Sequence, residues 1–290
     1  MTTYNAEVQN TNTGTQEHCS ADPDQLLTIG RAINQQIRVK FDNKKYAIYT
    51  VRNTPQETPD NIVRVTQEGA SRLGQSNFPF NVTIDSQVVN TTYNDADAQK
   101  YKEFVERLTD NGTHNKLIAI APHGGVIEIQ TDKQAERVAS QLANKGVSFW
   151  LCKGWGDSTI GAYDRWHITS TDINEESFPL LKTIINRGFT HAVAFHGFTR
   201  NNILIGGRAS DQLKQQIKTA IENAIVGSGI SVDIASAKSA YGGDAAENIV
   251  NRLSNGNGIQ IEQCYEARNP DKQYWEKIAD AVASVYQSLI

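Results

Sequence analysis

Cysteine is scarce in this chain. The three in 290 residues, Cys19, Cys152 and Cys264, are widely spread and form neither a CxxC pair nor an even framework of bridges. That excludes a disulfide-stapled scaffold and a thiolate zinc finger. Cys152 and Cys264 stand in apolar, strand-like runs, where a free cysteine behaves as a small buried hydrophobe. A catalytic thiol needs an electropositive, partly exposed position instead. Long apolar runs are also missing, and none approaches membrane-spanning length. Positive charge is not in excess. Lys and Arg number 28 against 32 Asp and Glu, a net charge of −4, so there is no electrostatic case for a nucleic-acid partner. The polar stretch Met1 to Gln25 contains no apolar signal-peptide core. A cytoplasmic product is therefore expected, with lysis or a non-classical route as ways out of the cell. The signatures GxSxG, HExxH, GxGxxG and the phosphate-binding Walker loop are absent. The loop Gly154 to Gly161 matches none of them, and Ser158 as a nucleophile has no elbow motif to support it.

What is present is globular: 39% hydrophobic and 21% charged residues, with length for one large domain or two smaller ones. Residues 1–24 are rich in Thr, Asn, Gln and Ser without apolar period and read as a flexible arm. Residues 25–95 read as a small β-rich domain or extension. Gln36 to Phe41 alternates apolar and charged residues as a half-buried strand does, and Tyr46 to Val51, Ile62 to Thr66 and Phe80 to Ile84 follow. Residues 96–290 open with a helical pattern over Ala96 to Leu108 and then alternate strand and helix. That is the pattern of an α/β domain, a mixed, largely parallel sheet flanked by helices. Within it, Trp166 to Ser170 reads as a short strand and Asp244 as a helix start resembling a capping box. The last helix opens at Asn269-Pro270.

The chemistry concentrates around Leu117 to Glu128. A buried-strand run, Leu117 to Ala121, is stopped by Pro122, and His123-Gly124-Gly125 follows. In open α/β sheets ligands bind outside the carboxyl ends of the strands, and His123 and Glu128 stand at such an end. His196-Gly197 repeats the placement after Ala192 to Phe195. Two imidazoles and a carboxylate are a common catalytic zinc set with a fourth position for water, whose pKa bound zinc lowers to about 7. Singly, each histidine reads more readily as a strand cap bonded to backbone; together with Glu128 they favour a metal. His167, in Arg165 to Thr171, competes with His196 as third ligand, or contacts substrate, or is a satisfied, partly buried histidine. Glu262 shares a strand face with Gln260 and Cys264. A carboxylate in an apolar strand needs a partner; a zinc-bound water would make it a general base, while an edge strand with one wet face would leave it inert. Lys153, Arg165, Arg200, Arg208 and Arg268 fall near these loops, and several arginines at one site would suit an anionic substrate.

Five pieces in order, Ala121-Pro-His-Gly-Gly-Val-Ile-Glu128, Trp166-His-Ile-Thr-Ser-Thr171, Phe195-His-Gly197, Gly206-Gly-Arg208 and Gln260-Ile-Glu262, resemble the poly-γ-glutamate hydrolase family of phages and bacteria. The resemblance spans Lys116 to Arg268. It implies a zinc carboxypeptidase-like α/β fold and hydrolysis of the γ-linked amide of an anionic γ-glutamyl polymer. It further implies one zinc per chain on His123, Glu128 and His196, Glu262 as base, and Arg208 and Arg268 as holders of substrate carboxylates. His167 and Arg165 are carried as further substrate contacts. The family core begins shortly before the Pro-His-Gly-Gly motif, whereas residues 1–115 precede it here. Such an extension could redirect the site to peptidoglycan or small γ-glutamyl amides. A different class of reading is a catalytically lapsed binding or structural module, as in a phage particle.

Overall fold

Alternation builds the first unit, beginning in the stretch expected to be a flexible arm. In the computed structural model, which describes residues 2–53, 57–236 and 239–290, Thr3–Asn10 is a strand (β1). Met1 of the expected arm and residues 54–56 of the expected β-rich domain lie outside the described residues. The flexible-arm expectation is corrected: β1 runs antiparallel to Phe80–Asp85 (β6) and parallel to Ile62–Val65 (β5). Its polar composition hid a buried minority, Ala6 and Val8, that point inward at period two. His18–Ala21 (β2), Gln36–Lys40 (β3) and Tyr46–Val51 (β4) complete a closed barrel in the order β1-β5-β2-β4-β3-β6. Closure leaves no edge strand exposed. Val8, Ile37, Val39, Tyr49, Val51, Val63, Val65 and Ile84 fill it, each fully buried.

Pro23–Thr28 (α1), capped by Asp22 on the Gln25 amide, and Gln67–Ser71 (α2), capped by Thr66 on the Gly69 amide, decorate this unit. Asp95–Tyr101 (α3) begins on the Asn94 cap and ends at Lys102, whose φ of 61° is left-handed. The helix expected over Ala96 to Leu108 is thereby shortened, because Phe104–Thr109 (β7) turns to strand. The unit also claims Gly154–Pro179, which corrects the single domain expected over residues 96–290. Buried polar side chains do the tying. Gln36 donates to the Asp172 carbonyl (2.7 Å) and its backbone amide donates to Ser177 Oγ (2.8 Å). Arg72 donates to the carbonyls of Asp164 (2.6 Å), Ile48 (2.9 Å) and His167 (3.1 Å). Where a strand over Trp166 to Ser170 was expected, a short helix, Ala162–Trp166 (α5), ends instead.

The second unit comprises Glu106–Lys153 and Leu180–Ile290. With β7 at its margin, a seven-stranded sheet collects Leu117–Gly125 (β8), Ser148–Gly154 (β9), His191–Gly197 (β10), Ile203–Gly206 (β11), Val232–Ile234 (β12) and Gly258–Gln263 (β13). The order is β12-β11-β13-β10-β8-β9-β7. β10 is parallel to β8 and β13, β12 is parallel to β11, and β11 runs antiparallel to β13. The mixed α/β character expected is therefore present, and the expected small β-rich domain is a closed barrel that also takes in β1 and β2.

Thr131–Gln141 (α4), Asp211–Ala224 (α7) and Tyr274–Gln287 (α10) bury their apolar stripes in one core with the odd-numbered residues of β8, β10, β11 and β13. In α7 the stripe is Leu213, Ile217 and Ile221, and in α10 it is Ile278, Val282 and Tyr286, each at four-residue spacing. Full burial of each such aliphatic side chain contributes roughly 1.5–3 kcal/mol. Pro179–Ile184 (α6), Ile249–Leu253 (α8) and Tyr265–Arg268 (α9) are short. α8 starts on Asn248, not at the expected Asp244, and α10 starts at Tyr274, after the expected Asn269-Pro270. Because Phe195, Ile259 and Ile261 face that core, His196, Gln260 and Glu262 face the other way.

Candidate active site

Three strand ends in the second unit converge. His123 closes β8 and is 3% exposed; His196 closes β10 and is 2% exposed. Glu128 follows His123 in a tight turn, its amide donating to the His123 carbonyl at 2.9 Å, while Thr131 Oγ1 donates to the Glu128 carbonyl at 2.8 Å. Gln130, at φ 69°, bends the chain into α4. The two Nδ1 atoms of His123 and His196 lie 3.2 Å apart. Glu128 Oε1 is 3.2 Å from His123 Nδ1, and Oε2 is 3.5 Å from His196 Nδ1. Among the described residues this is the trio of ligand-type side chains that could hold a metal ion. A tetrahedral centre with bonds of about 2.0–2.1 Å sets its ligand atoms roughly 3.4 Å apart, so the spacing fits zinc. Gly197 N donates to Glu128 Oε2 at 2.9 Å and orients the carboxylate. His196 Nε2 is buried without a partner among the described residues.

Glu262 stands in register beside His196 on the neighbouring parallel strand, so their side chains share a face. It is 7% exposed. Burial pushes its carboxyl up to about 7, helped by the nearby Glu128 charge and opposed by His196, His123 and Gln260. Burial pushes Glu128 up too, but His123 and His196 outweigh it and hold that carboxyl well below the usual range. Two carboxylates driven apart in this way can divide labour: one stays ionised, and the other can exchange a proton near neutral pH.

Arg268, in α9, joins the cluster. Nε donates to the Gln263 carbonyl (3.2 Å) and Nη1 to the Ile129 carbonyl (3.0 Å). Its guanidinium lies flat on Gly197, where a Cβ would come within 2.2 Å of Cζ. Gly124 has a similar reason to be glycine, since a Cβ there would meet Asp132 Cβ at 2.6 Å and the Cys152 carbonyl at 2.9 Å. Asp132 in turn takes an ion pair from Lys153 (3.3 Å), which also binds Glu136 (2.6 Å). Lys153, one of the basic residues noted near these loops, is thus spent inside the unit.

Three other residues were expected as substrate contacts. Arg208 follows β11, and β11 runs opposite to β13. It is therefore delivered to the opening end of β13, where its Nε is the nearest atom to a Cβ on Gly256, at 3.7 Å. Glu262 lies four residues beyond Gly258, a run of about 13 Å along a strand. Arg208 therefore springs from the opposite end of β13 to Glu262. His167 and Arg165 belong to the first unit. His167 Nδ1 is bonded to Glu17 and its ring stacks on Tyr163 at 4.4 Å. Arg165, 1% exposed, donates to the Lys44 carbonyl (2.7 Å) and Asp157 (2.9 Å) and lies over the Tyr46 ring. Those partners account for its guanidinium, so a substrate contact by Arg165 is not what the structure offers. The three cysteines are all buried, and burial raises the thiols of Cys19 and Cys152, as inert packing thiols require.

Sequence reasoning did not find Gln260, Asn248 or Gln263 as site residues. Gln260 donates to Glu262 Oε1 at 2.8 Å, and Gln263 exchanges two 2.8 Å bonds with Gln134 beside the His196 carbonyl. The signal for Gln260 was its shared strand face with Glu262; nothing local marks Asn248 or Gln134.

The profile of the family described as poly-gamma-glutamate hydrolase matches residues 92–278. A protein of Bacillus subtilis (strain 168), UPF0714 protein YmaC, is 28% identical over 228 residues, covering 77% of each chain. Among solved structures, a bacteriophage poly-gamma-glutamate hydrolase aligns with a TM-score of 0.50 and 23% identity, over 69% of this chain and 98% of that one. A zinc-free structure, YNDL-apo, aligns with a TM-score of 0.50 and 20% identity, over 64% of this chain and 90% of the other. At these identities both structures speak to the fold.

Proposed function

Since the chain belongs to the poly-gamma-glutamate hydrolase family, we propose that it is a zinc-dependent amide hydrolase that cleaves the γ-glutamyl linkages of poly-γ-glutamate. One observation carries the reading: two buried imidazoles and an ionised carboxylate converge beside a second buried carboxylate, Glu262, in register with His196 on the neighbouring strand. His123, Glu128 and His196 would hold one zinc. Bound there, zinc supplies Lewis acidity, which makes water nucleophilic near neutral pH and draws electrons from the scissile carbonyl.

The chain's own residues do the rest. Glu262 takes the proton of the attacking water and returns it to the departing amine, so each turnover leaves it unchanged. Burial, which lifts its affinity for protons, matches it to both halves of that exchange. Arg268 is the cation of the cluster. Its Nε and Nη1 are fixed by carbonyls, which leaves Nη2 for a carboxylate. A γ-linked polymer carries one free α-carboxylate per residue, which Nη2 can take in a single charge-assisted bond. Gly197 and the Glu128 turn preset these positions before substrate arrives, and preorganised charge of this kind commonly contributes more to catalysis than any other effect.

The test is metal content and turnover together. Wild type is expected to carry about one zinc per chain, to lose it with His196→Ala and to keep it with His167→Ala. Glu262→Gln is expected to keep zinc and lose turnover of poly-γ-glutamate by about 10²- to 10⁴-fold. Near wild-type turnover in Glu262→Gln would remove it as base. Protein that takes up no zinc on reconstitution and leaves the polymer intact would return the site to the binding-module reading.

A further inference from the structure

Glu262 is approached by a chain of amides whose direction is fixed by a backbone group. The two ends of a carboxamide have nearly the same shape, so its orientation has to be argued from partners. The anchor is Val250 N, which can only donate. It lies 3.1 Å from Asn248 Oδ1, the side chain that caps α8. Asn248 Nδ2 therefore points the other way, and donates to Gln260 Oε1 at 2.8 Å. Gln260 Nε2 is left facing the Tyr241 carbonyl at 3.5 Å, which can only accept, and Glu262 Oε1 at 2.8 Å. Both ends of the chain thus demand the same polarity. Asn248 and Gln260 are 4% and 5% exposed, so water does not compete for these bonds.

The surroundings hold the Gln260 amide in place. Gly243, at φ 62°, passes so close that a Cβ there would stand 2.8 Å from Gln260 Cβ, Cδ and Oε1. Asn251 Nδ2 donates to the carbonyls of Gly243 and Ala245, at 2.7 Å each, and clamps that loop. A side chain that merely filled space would not need a glycine opposite it and an asparagine behind the glycine.

We propose that Asn248 and Gln260 are positioning residues for the proton transfer assigned to Glu262. The α8 cap, acting through Gln260, ties down Oε1 of Glu262 and leaves Oε2 as the oxygen that receives the water proton and gives it to the leaving amine. The inference rests on the role of Glu262 given above.

Asn248→Asp separates positioning from mere stability. Asp caps a helix as well as Asn does, so the Val250 bond and the fold are kept. Its second oxygen now faces Gln260 Oε1, two acceptors that repel. Gln260 is driven to turn over and set its own oxygen against Glu262. Asn248→Ala loses the cap but leaves Gln260 free to keep Nε2 on Glu262. For poly-γ-glutamate hydrolysis by the zinc-loaded full chain, kcat is expected to fall in the order wild type, Asn248→Ala, Asn248→Asp. The last should lose on the order of tenfold, a part of what a placed base contributes, with KM and zinc content held. Melting temperature should follow the opposite order for the two variants. Asn248→Asp at wild-type kcat, or Asn248→Ala the slower of the two, overturns the proposal. A second readout needs no substrate. In ¹⁵N spectra the Gln260 side-chain amide protons of the wild type should be slow to exchange, and in Asn248→Asp should shift in frequency while staying protected, as Nε2 changes partner from Glu262 to the new carboxylate. Rapid, free-amide exchange in the wild type overturns the relay. If wild type fails to cleave γ-glutamyl amides, the functional reading falls, and the amide spectra still decide the relay.

Discussion

Gly197 sits between two functions, orienting Glu128 through its amide and supporting Arg268 through its missing side chain. A methyl at this position would come within 2.2 Å of the Arg268 guanidinium carbon, which is held by two carbonyl bonds and cannot yield freely. Gly197→Ala is therefore expected to displace Arg268 while leaving His123, Glu128 and His196 in place. It should lower kcat/KM on poly-γ-glutamate about tenfold and cost about 1–3 kcal/mol in overpacking, with zinc content retained. Steady-state kinetics beside a urea unfolding curve checks both parts; unchanged kcat/KM would remove Arg268 from substrate binding. At this scale, legibility followed strand ends. His123, His196 and Glu262 could be singled out because each interrupts or ends an apolar run. Arg208 could not be placed, because a sequence does not say that β11 reverses direction beside β13. Asn248 was invisible for a related reason: its partner Gln260 is twelve residues away across a fold that no local pattern specifies.

Among elements, the stretch Gly154–Pro179 is held to the barrel by charges that sequence reading assigned elsewhere. Glu17 is the acceptor. It bonds His167 Nδ1 and takes the amide and hydroxyl of Thr169 at 2.8 and 3.0 Å. Burial pushes the Glu17 carboxyl up, but His167, Arg72 and the Thr169 amide outweigh it and bring it down to about 2. A depressed carboxyl stabilises the fold above its unfolded value of 4.5, and that contribution disappears as pH falls from there to about 2. It amounts to something on the order of 3 kcal/mol, because each tenfold change in proton affinity corresponds to about 1.36 kcal/mol. Urea midpoints of wild type and Glu17→Gln should therefore differ most at neutral pH and converge toward pH 2. A gap that stays constant across that range would show that ionisation of Glu17 is not what ties the segment. The β1 strand was illegible for a cause of the same order: Ala6 and Val8 are two inward residues among polar ones, and pairing with β5 and β6, not local apolarity, makes the strand. The α3 boundary was misread because Phe104 and Val105 continue a helical stripe on paper, while Lys102 in the left-handed region ends the helix first.

Over the whole molecule, each unit has its own core, the barrel interior and the face of the sheet covered by α4, α7 and α10. The α/β alternation after residue 116 was legible because its helices carry clean four-residue stripes and its strands are short apolar runs. The division into two units was not, because Gly154–Pro179 leaves the sheet's sequence to join the barrel. That division gives the metal reading a thermodynamic consequence. Zinc held by His123, Glu128 and His196 binds only the folded second unit, so it should stabilise that unit by mass action, about 4 kcal/mol at a free concentration one thousand times Kd. Hydrogen exchange of the chelated protein, followed by readdition of zinc, should raise protection in β8, β10 and β13. It should leave the barrel strands β1 to β6 at their chelated rates, since no barrel residue is among the three ligands. His196→Ala should abolish the gain, and Glu262→Gln should keep it, because Glu262 is asked to move a proton and not to hold the metal. A gain that survives His196→Ala would relocate the third ligand. Protection that rises equally in the barrel strands would mean that the two cores unfold as one, and that zinc reports on the chain and not on the sheet alone.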